Sequence, residues 1–212
     1  MVDYRPARAE DLAQIRVINR HYILNTSLTF VRTPPPFDSY IAKLNDLESR
    51  GLPYLVAVDK TQKADDGNDL VVGYGSLSPF RPQMVSYAPT VELTLFLHPD
   101  HQSQGTGSVL LALLLGKVET GQVWHRIEEP VASEPTEVDH RTESSGATRV
   151  RNVIAVMAVD PEGKEQGEAL RKWYVARGFE ECGRMKKVGF KRGHWIDTVW
   201  LQYHIPESMV PL

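Results

Sequence analysis

Cysteine is nearly missing from this chain, with Cys182 the only one in 212 residues. An internal disulfide is excluded, and the composition suits a reducing compartment, which points to the cytoplasm. No nucleophile motif surrounds Cys182, so it reads as a buried structural thiol. Excess charge of one sign is missing too. The formal net charge is −3, which gives no global attraction for nucleic acid. The longest apolar run, Val109 to Leu115, falls far short of the roughly 20 residues that cross a bilayer. No membrane span is expected, and Met1 to Arg5 lacks the apolar core of a signal peptide. The seven histidines show no metal-ligand spacing. His98 and His101 have no cysteine or carboxylate partners in a zinc pattern, so no metal is expected.

What is present is ordinary globular material: 42% hydrophobic and 24% charged residues, with a length that suits one large domain over 1–212 ahead of two small ones. Val2 to Pro6 reads as a strand. Ala9 to Leu24 reads as a helix, with Leu12, Ile15, Ile18 and Tyr22 at helical spacing. Thr33-Pro-Pro-Pro36 ends regular structure, and a second helix runs from about Asp38 to Arg50. Strands follow at Tyr54–Val58, Leu70–Leu77 and Thr90–Leu97, the first two separated by a polar turn from Asp59 to Asp69. The helix from Gly105 to Thr120 is apolar nearly all round and should be buried. Residues 121–151 carry Glu128, Glu129, Glu134, Glu137, Asp139 and Glu143. They read as a surface excursion with the composition of a disordered insertion. Asn152–Val159 is a central strand, Pro161–Arg177 a helix ended by Gly178, and Phe179–Lys187 and Trp195–Tyr203 the last strands. The order β-α-α-β-β-β-α-β-α-β-β implies a mixed α/β fold, a single sheet with helices on both faces.

One segment carries chemistry. Leu95-Phe-Leu-His-Pro-Asp-His-Gln102-Ser-Gln-Gly105-Thr-Gly107-Ser-Val-Leu110 runs from a strand through a glycine turn into a helix. Bare N–H groups and partial positive charge at a helix start attract phosphate. No lysine follows Gly107, which excludes a Walker loop, and Leu110 stands where a dinucleotide fingerprint needs its third glycine. Either this is a plain strand–helix turn, or Gln102-x-x-Gly105-x-Gly107 is the Q/R-x-x-G-x-G/A loop that holds pantetheine pyrophosphate in GNAT acyltransferases.

Four further stretches resemble the phosphinothricin and methionine sulfoximine acetyltransferases of that superfamily. They are Gly75-Ser-Leu-Ser-Pro-Phe-Arg81, Thr90-Val-Glu92, His98-Pro-Asp-His101 and Val188-Gly-Phe-Lys-Arg-Gly-His-Trp-Ile-Asp197. The resemblance covers most of 3–119 and 152–203 and leaves out the excursion. It implies a GNAT fold, whose sheet of about seven strands is mostly antiparallel, and direct transfer of acetyl from acetyl-CoA to a small-molecule amine. The implied acceptor is the α-amine of a small amino acid or a phosphinothricin-like analogue. A polyamine, aminoglycoside or protein amine, or a non-catalytic acyl-CoA-binding module, are the alternatives. Relatives being commonly dimers, a homodimer is expected.

The same resemblance gives expected roles. Glu92, inside the alternating run Thr90–Leu97, is the candidate base; an exposed strand glutamate paired with a lysine is the other reading. Tyr174 is the candidate acid toward the leaving thiolate, against a core tyrosine with its hydroxyl at the surface. The backbone of Leu95, Phe96 and Leu97 would bind pantetheine as a pseudo-strand, and the N–H near Leu97 would polarise the thioester. Gln102, Ser103, Gln104, Gly105, Thr106, Gly107 and Ser108 would hold the pyrophosphate. Arg81 would grip a substrate carboxylate and Phe30 would wall the pocket, with a surface salt bridge and core packing as the competing readings. Three departures stand out. Tyr174 replaces a histidine common in relatives, Gly167 replaces an asparagine, and Gln83 stands near where a second arginine is usual.

Overall fold

The computed structural model describes residues 1–127 and 146–205. In chain order it holds β1 (Val2–Pro6), α1 (Leu12–Asn25), α2 (Phe37–Ser49), β2 (Tyr54–Lys63), β3 (Asp69–Pro79), β4 (Thr90–Leu97) and α3 (Thr106–Glu119). Then come β5 (Trp124–Arg126), β6 (Ala147–Arg149), β7 (Asn152–Val159), α4 (Glu168–Val175), β8 (Glu180–Lys191) and β9 (His194–His204). The main sheet has seven strands in the order β1-β2-β3-β4-β7-β9-β8. Every pairing is antiparallel except β4 with β7.

That exception shapes the molecule. β4 and β7 pair only at Thr90↔Asn152, Val91↔Val153 and Glu92↔Ile154. Beyond that point β4 stays bound to β3 as far as Leu97↔Gly73, and β7 stays bound to β9 as far as Val159↔Asp197. The sheet splits into a wedge with Glu92 at its apex. Pro89 O closes the base of the split by accepting from the N–H groups of both Arg151 and Asn152.

α1 and α2 cover one face of the sheet, and α3 covers the other. α1 buries Leu12, Ile15, Ile18 and Tyr22, the spacing read from the sequence. α3 buries Leu110, Leu111, Leu114, Leu115 and Val118. A fully buried leucine contributes about 1.5–3 kcal/mol, so this helix start is anchored by the core behind it.

Several expectations need correction. The turn after β2 is shorter than Asp59–Asp69, because β2 continues to Lys63 and β3 begins at Asp69. The helix expected from Pro161 begins only at Glu168. Glu165 and Gln166 take left-handed angles (φ 52 and 55), which no helix continues through. Gly167 (φ +89) completes the turn, and a Cβ there would lie 2.7 Å from Asp160 N. This conformation accounts for a glycine at this position. The last two strands are longer than expected and turn through Arg192 and Gly193 alone, both at positive φ. Cys182 is exposed rather than buried, because β8 is an edge strand whose side chains mostly face solvent. The flanks of the 121–151 excursion form an unexpected two-stranded sheet, β5 with β6, and its middle lies outside the described residues.

Candidate active site

The glycine loop is built as a cradle of donors. Gly105 sits at φ 85, a left-handed conformation that costs a side-chain-bearing residue strain. Its carbonyl accepts from Ser108 N and Val109 N, which starts α3. Among the described residues no carbonyl takes the N–H of Gly105, Thr106 or Gly107. Gly107 lies close over Leu97, where a Cβ would come 3.3 Å from Leu97 Cδ1. The Gln102 side chain serves a different purpose from the one expected. Its Nε2 donates to Tyr22 Oη (2.9 Å), and Tyr22 donates to Leu97 O (2.8 Å). Burial pushes the Tyr22 phenol up, so it remains a donor at neutral pH. The loop, α1 and the end of β4 are thus tied by one tyrosine.

A cation missed in the sequence stands beside this loop. Arg177 donates to Ser108 Oγ (2.8 Å) and to Trp173 O (2.9 Å), and its guanidinium lies 4.0 Å from the Trp173 ring centroid. In the sequence it reads as an ordinary basic residue at a helix end. The fold brings that end against the first turn of α3.

The wedge offers unpaired strand edges. His98 N donates to Val72 O and Phe80 N to Thr90 O, so the even-numbered residues of β4 bond to β3. Alternation turns the backbone groups of Leu93, Leu95 and Leu97 toward β7, which has moved away. Leu95 and Leu97 therefore present N–H groups with no strand partner among the described residues. Phe96 does not. Its backbone belongs to the β3 ladder opposite Tyr74, and only its side chain takes part in a cavity. From the other side, Ile205 N donates to Arg151 O, which assigns the odd residues of β7 to β9 and turns Val156 and Ala158 into the wedge.

The side chains of Glu92, Thr94 and Phe96 share the face covered by α1 and α2. There a cavity of about 330 Å³ is lined by Asn19, Tyr40, Lys43, Tyr54, Tyr74, Thr94 and Phe96 among others. Tyr40 donates to Asn19 Oδ1 (2.7 Å), and Asn19 Nδ2 donates to Tyr74 Oη (3.3 Å). Burial pushes the Glu92 carboxyl up, and the positive charge of Lys43 pulls it partly back. The alternative reading of Glu92, as an exposed glutamate with a lysine, meets a half-buried one instead. Its lysine is Lys43, an α2 residue that reads in sequence as part of a solvated face.

Glu92 shares the face of the cavity without lining it, and the side chains of Tyr174, Phe30 and Arg81 lie outside it too. Tyr174 is only 7% exposed and packs edge-on against Trp173 and Phe179. Burial alone pushes its phenol far up, and its hydroxyl has no hydrogen-bond partner among the described residues. Phe30 is half-exposed and lies against Gly189 of β8. Arg81 is exposed, at φ 48, over the rings of Phe80 (5.4 Å) and Tyr87 (5.9 Å) beyond the end of β3. Neither Phe30 nor Arg81 lines the cavity. Among the described residues no cluster of three His, Cys, Asp or Glu side chains is poised for a metal.

Known proteins are similar to this chain in sequence and fold. The chain is similar to the phosphinothricin N-acetyltransferase of Alcaligenes faecalis, 29% identical over 93% of this chain and 80% of the relative. It is also similar to an L-amino acid N-acyltransferase of Escherichia coli (strain K12), 25% identical over 98% of this chain and 96% of that one. Among solved structures, a phosphinothricin acetyltransferase from Sinorhizobium meliloti, solved in complex with AcCoA, superposes with a TM-score of 0.72 at 28% identity, covering 97% of this chain and 89% of that one. The model of the acetyltransferase (GNAT) family matches residues 20–135, more than half of the chain, and takes in the glycine loop, β4 and Glu92. The split sheet, the donor cradle and that match together make the chain a member of the acetyltransferase (GNAT) family.

Proposed function

We propose that this protein transfers acetyl from acetyl-CoA to the α-amine of a small amino acid or analogue, directly and with no acyl-enzyme. The observation that carries the reading is the wedge, where two unpaired strand edges converge on one desolvated carboxylate. The chain's own groups fit acetyl-CoA. Free N–H groups at Gly105, Thr106 and Gly107, with Arg177 beside them, suit a pyrophosphate. The open edge at Leu95 and Leu97 suits the amides of pantetheine, which would add to β4 as a strand.

Acetyl-CoA supplies a thioester whose carbonyl an amine can attack. The acceptor arrives as an ammonium, and Glu92 removes its proton, directly or through a water. A carboxyl raised by burial is a stronger base than a surface glutamate. The Leu97 N–H, turned into the wedge, donates toward the carbonyl oxygen as negative charge grows there. Tyr174 is the proposed donor to the departing sulfur, although the burial that holds its proton also makes its phenol a weaker acid. Phe30 and Arg81, as placed, contribute nothing to these steps.

The relatives named for phosphinothricin and for L-amino acids support a small acceptor. A homodimer belongs to the same reading, supported by exposed Val188 (51%), Phe190 (56%) and Trp195 (61%) on the edge hairpin β8–β9. Sedimentation of a single monomeric species would remove it. Replacing Glu92 tests the chemistry. Glu92→Gln should cut turnover by roughly 10²–10⁴-fold while acetyl-CoA affinity stays within a factor of about two. Equal loss of binding and turnover would contradict the base assignment.

A further inference from the structure

Lys43 is the one charged residue that lines the cavity, with Glu92 on the same face beyond its lining, and these steps leave it unused. It projects from α2 and is partly buried, with Nζ 5.5 Å from the centroid of the Tyr54 ring. Among the described residues it makes no hydrogen bond and has no carboxylate within salt-bridge distance. Burial pushes its ammonium toward neutrality, and Glu92 is the charge that opposes this. An enclosed cation without a close anion is an expensive arrangement. A single cation–π contact, about 0.5–2 kcal/mol, recovers little of the cost.

The surroundings complete an anion site. Tyr54 and Tyr74 line the same cavity, and the hydroxyl of neither donates to any described residue. Tyr74 only accepts, from Asn19. Burial pushes both phenols up, so both keep their protons to donate. A cation with two hydroxyl donors at one place, and a carboxylate at Glu92 within electrostatic reach, form a pair of opposite poles. An α-amino acid is the matching zwitterion.

We propose that the cavity between α1, α2 and β2–β4 binds the acceptor as a zwitterion, with Lys43, Tyr54 and Tyr74 holding its carboxylate and Glu92 facing its ammonium. This rests on the reading of Glu92 as the base. It makes Lys43, and not Arg81, the residue that selects an acid-bearing amine. A volume of about 330 Å³ is at the small end for ligand pockets, roughly 300–1,000 Å³, and fits one amino acid better than a peptide or an aminoglycoside. A polyamine would set a second cation against Lys43, which selects against it.

The test compares an acceptor with its carboxamide, which keeps the amine and removes the anion. L-Methionine and L-methioninamide are such a pair, assayed as kcat/KM at equal concentrations of neutral amine. The intact enzyme should prefer the acid by on the order of a hundredfold, the usual cost of stranding a buried charge. Lys43→Met, which keeps the aliphatic stem, should collapse that ratio toward one, and Lys43→Arg should retain part of it. Calorimetry in the presence of CoA, with the 2-hydroxy acid analogue of methionine, reads the site without chemistry. Lys43→Met should weaken this binding at least tenfold, with acetyl-CoA affinity unchanged as the check on folding. An unchanged acid-to-amide ratio in Lys43→Met overturns the assignment, and so does hydroxy-acid binding that is absent or indifferent to Lys43. Lys43-dependent binding of the hydroxy acid, in an enzyme that acetylates no amino acid, upholds the anion site and overturns only the transfer reading.

Discussion

A carboxylate that must take a proton from an ammonium works best when its own pKa approaches the working pH. Glu92 is moved in that direction by burial, and Lys43 limits the movement. The proposed base acts in its ionised form, so kcat/KM should rise with pH through a limb above the free glutamate value of about 4.3. In Glu92→Gln that limb should vanish; a limb that persists unchanged assigns it to another group. Tyr22 is the second residue whose removal is informative. Tyr22→Phe deletes the bond to Leu97 O and strands the Gln102 amide. It should cost about 1–2 kcal/mol of stability and raise KM for acetyl-CoA more than it lowers kcat. A pure stability loss, with KM unchanged, would reduce Tyr22 to a core residue. Neither Tyr22 nor Lys43 announces its role in the sequence. A tyrosine at helical spacing reads as core, and a helix lysine reads as solvated. Both roles depend on partners more than 40 residues away along the chain.

The elements that hold the site vary in how far their sequence determines them. β4 was legible to the residue, because Thr90–Leu97 alternates and is bounded by polar turns. α3 was legible within a residue at each end, because the glycine turn starts it and its apolar run fixes its length. The wedge was not legible. Which strand edge goes unpaired depends on where β4 and β7 part, and both strands keep full pairing on their other sides. α4 was misjudged at its start because Glu165 and Gln166, unlike glycine, carry no mark of left-handed angles. Gly105 is the element-scale test. At φ 85 with open space around its Cβ position, Gly105→Ala would suffer backbone strain and no clash. The expected cost is about 1–2 kcal/mol, read as a lowered unfolding midpoint. Acetyl-CoA affinity should fall as the N–H groups tilt away. Unchanged affinity would mean that the cradle does not bind the pyrophosphate.

At the scale of the whole molecule, charge joins the last helix to the last hairpin. Arg184 of β8 donates to Glu168 of α4 (2.7 Å) and to Asp197 of β9 (2.8 Å), and Arg171 also donates to Glu168 (2.6 Å). Arg171 and then Arg184 hold the Glu168 carboxyl below its usual value. For Asp197 the Lys187 N–H comes first and Arg184 second. Carboxyls lowered in the folded state contribute stability above about pH 4, and that contribution is lost as pH falls through the lowered values. The groups are only partly covered and remain open to solvent screening, so the effect is small, up to about 1 kcal/mol. Arg184→Met should therefore lower stability at pH 7 by that order, and the deficit should shrink as pH falls below the ordinary carboxylate range. A deficit that does not shrink in acid would point to packing. The seven-stranded mixed sheet with helices on both faces was readable from the order of elements, because hydrophobic period and turn residues set that order. The small β5–β6 sheet was not, since its apolar content is too low to signal strands.

The central claim is acetyl transfer to a small α-amino acid at the apex of the wedge. It is tested most directly by CoA release from acetyl-CoA, followed with a thiol reagent, against free amino acids, phosphinothricin, methionine sulfoximine and polyamines. Release is expected with one or more of the α-amino acids or their analogues, abolished or nearly so in Glu92→Gln, and little or none with polyamines. Release with polyamines alone, or no release from a protein that still binds acetyl-CoA, would contradict it.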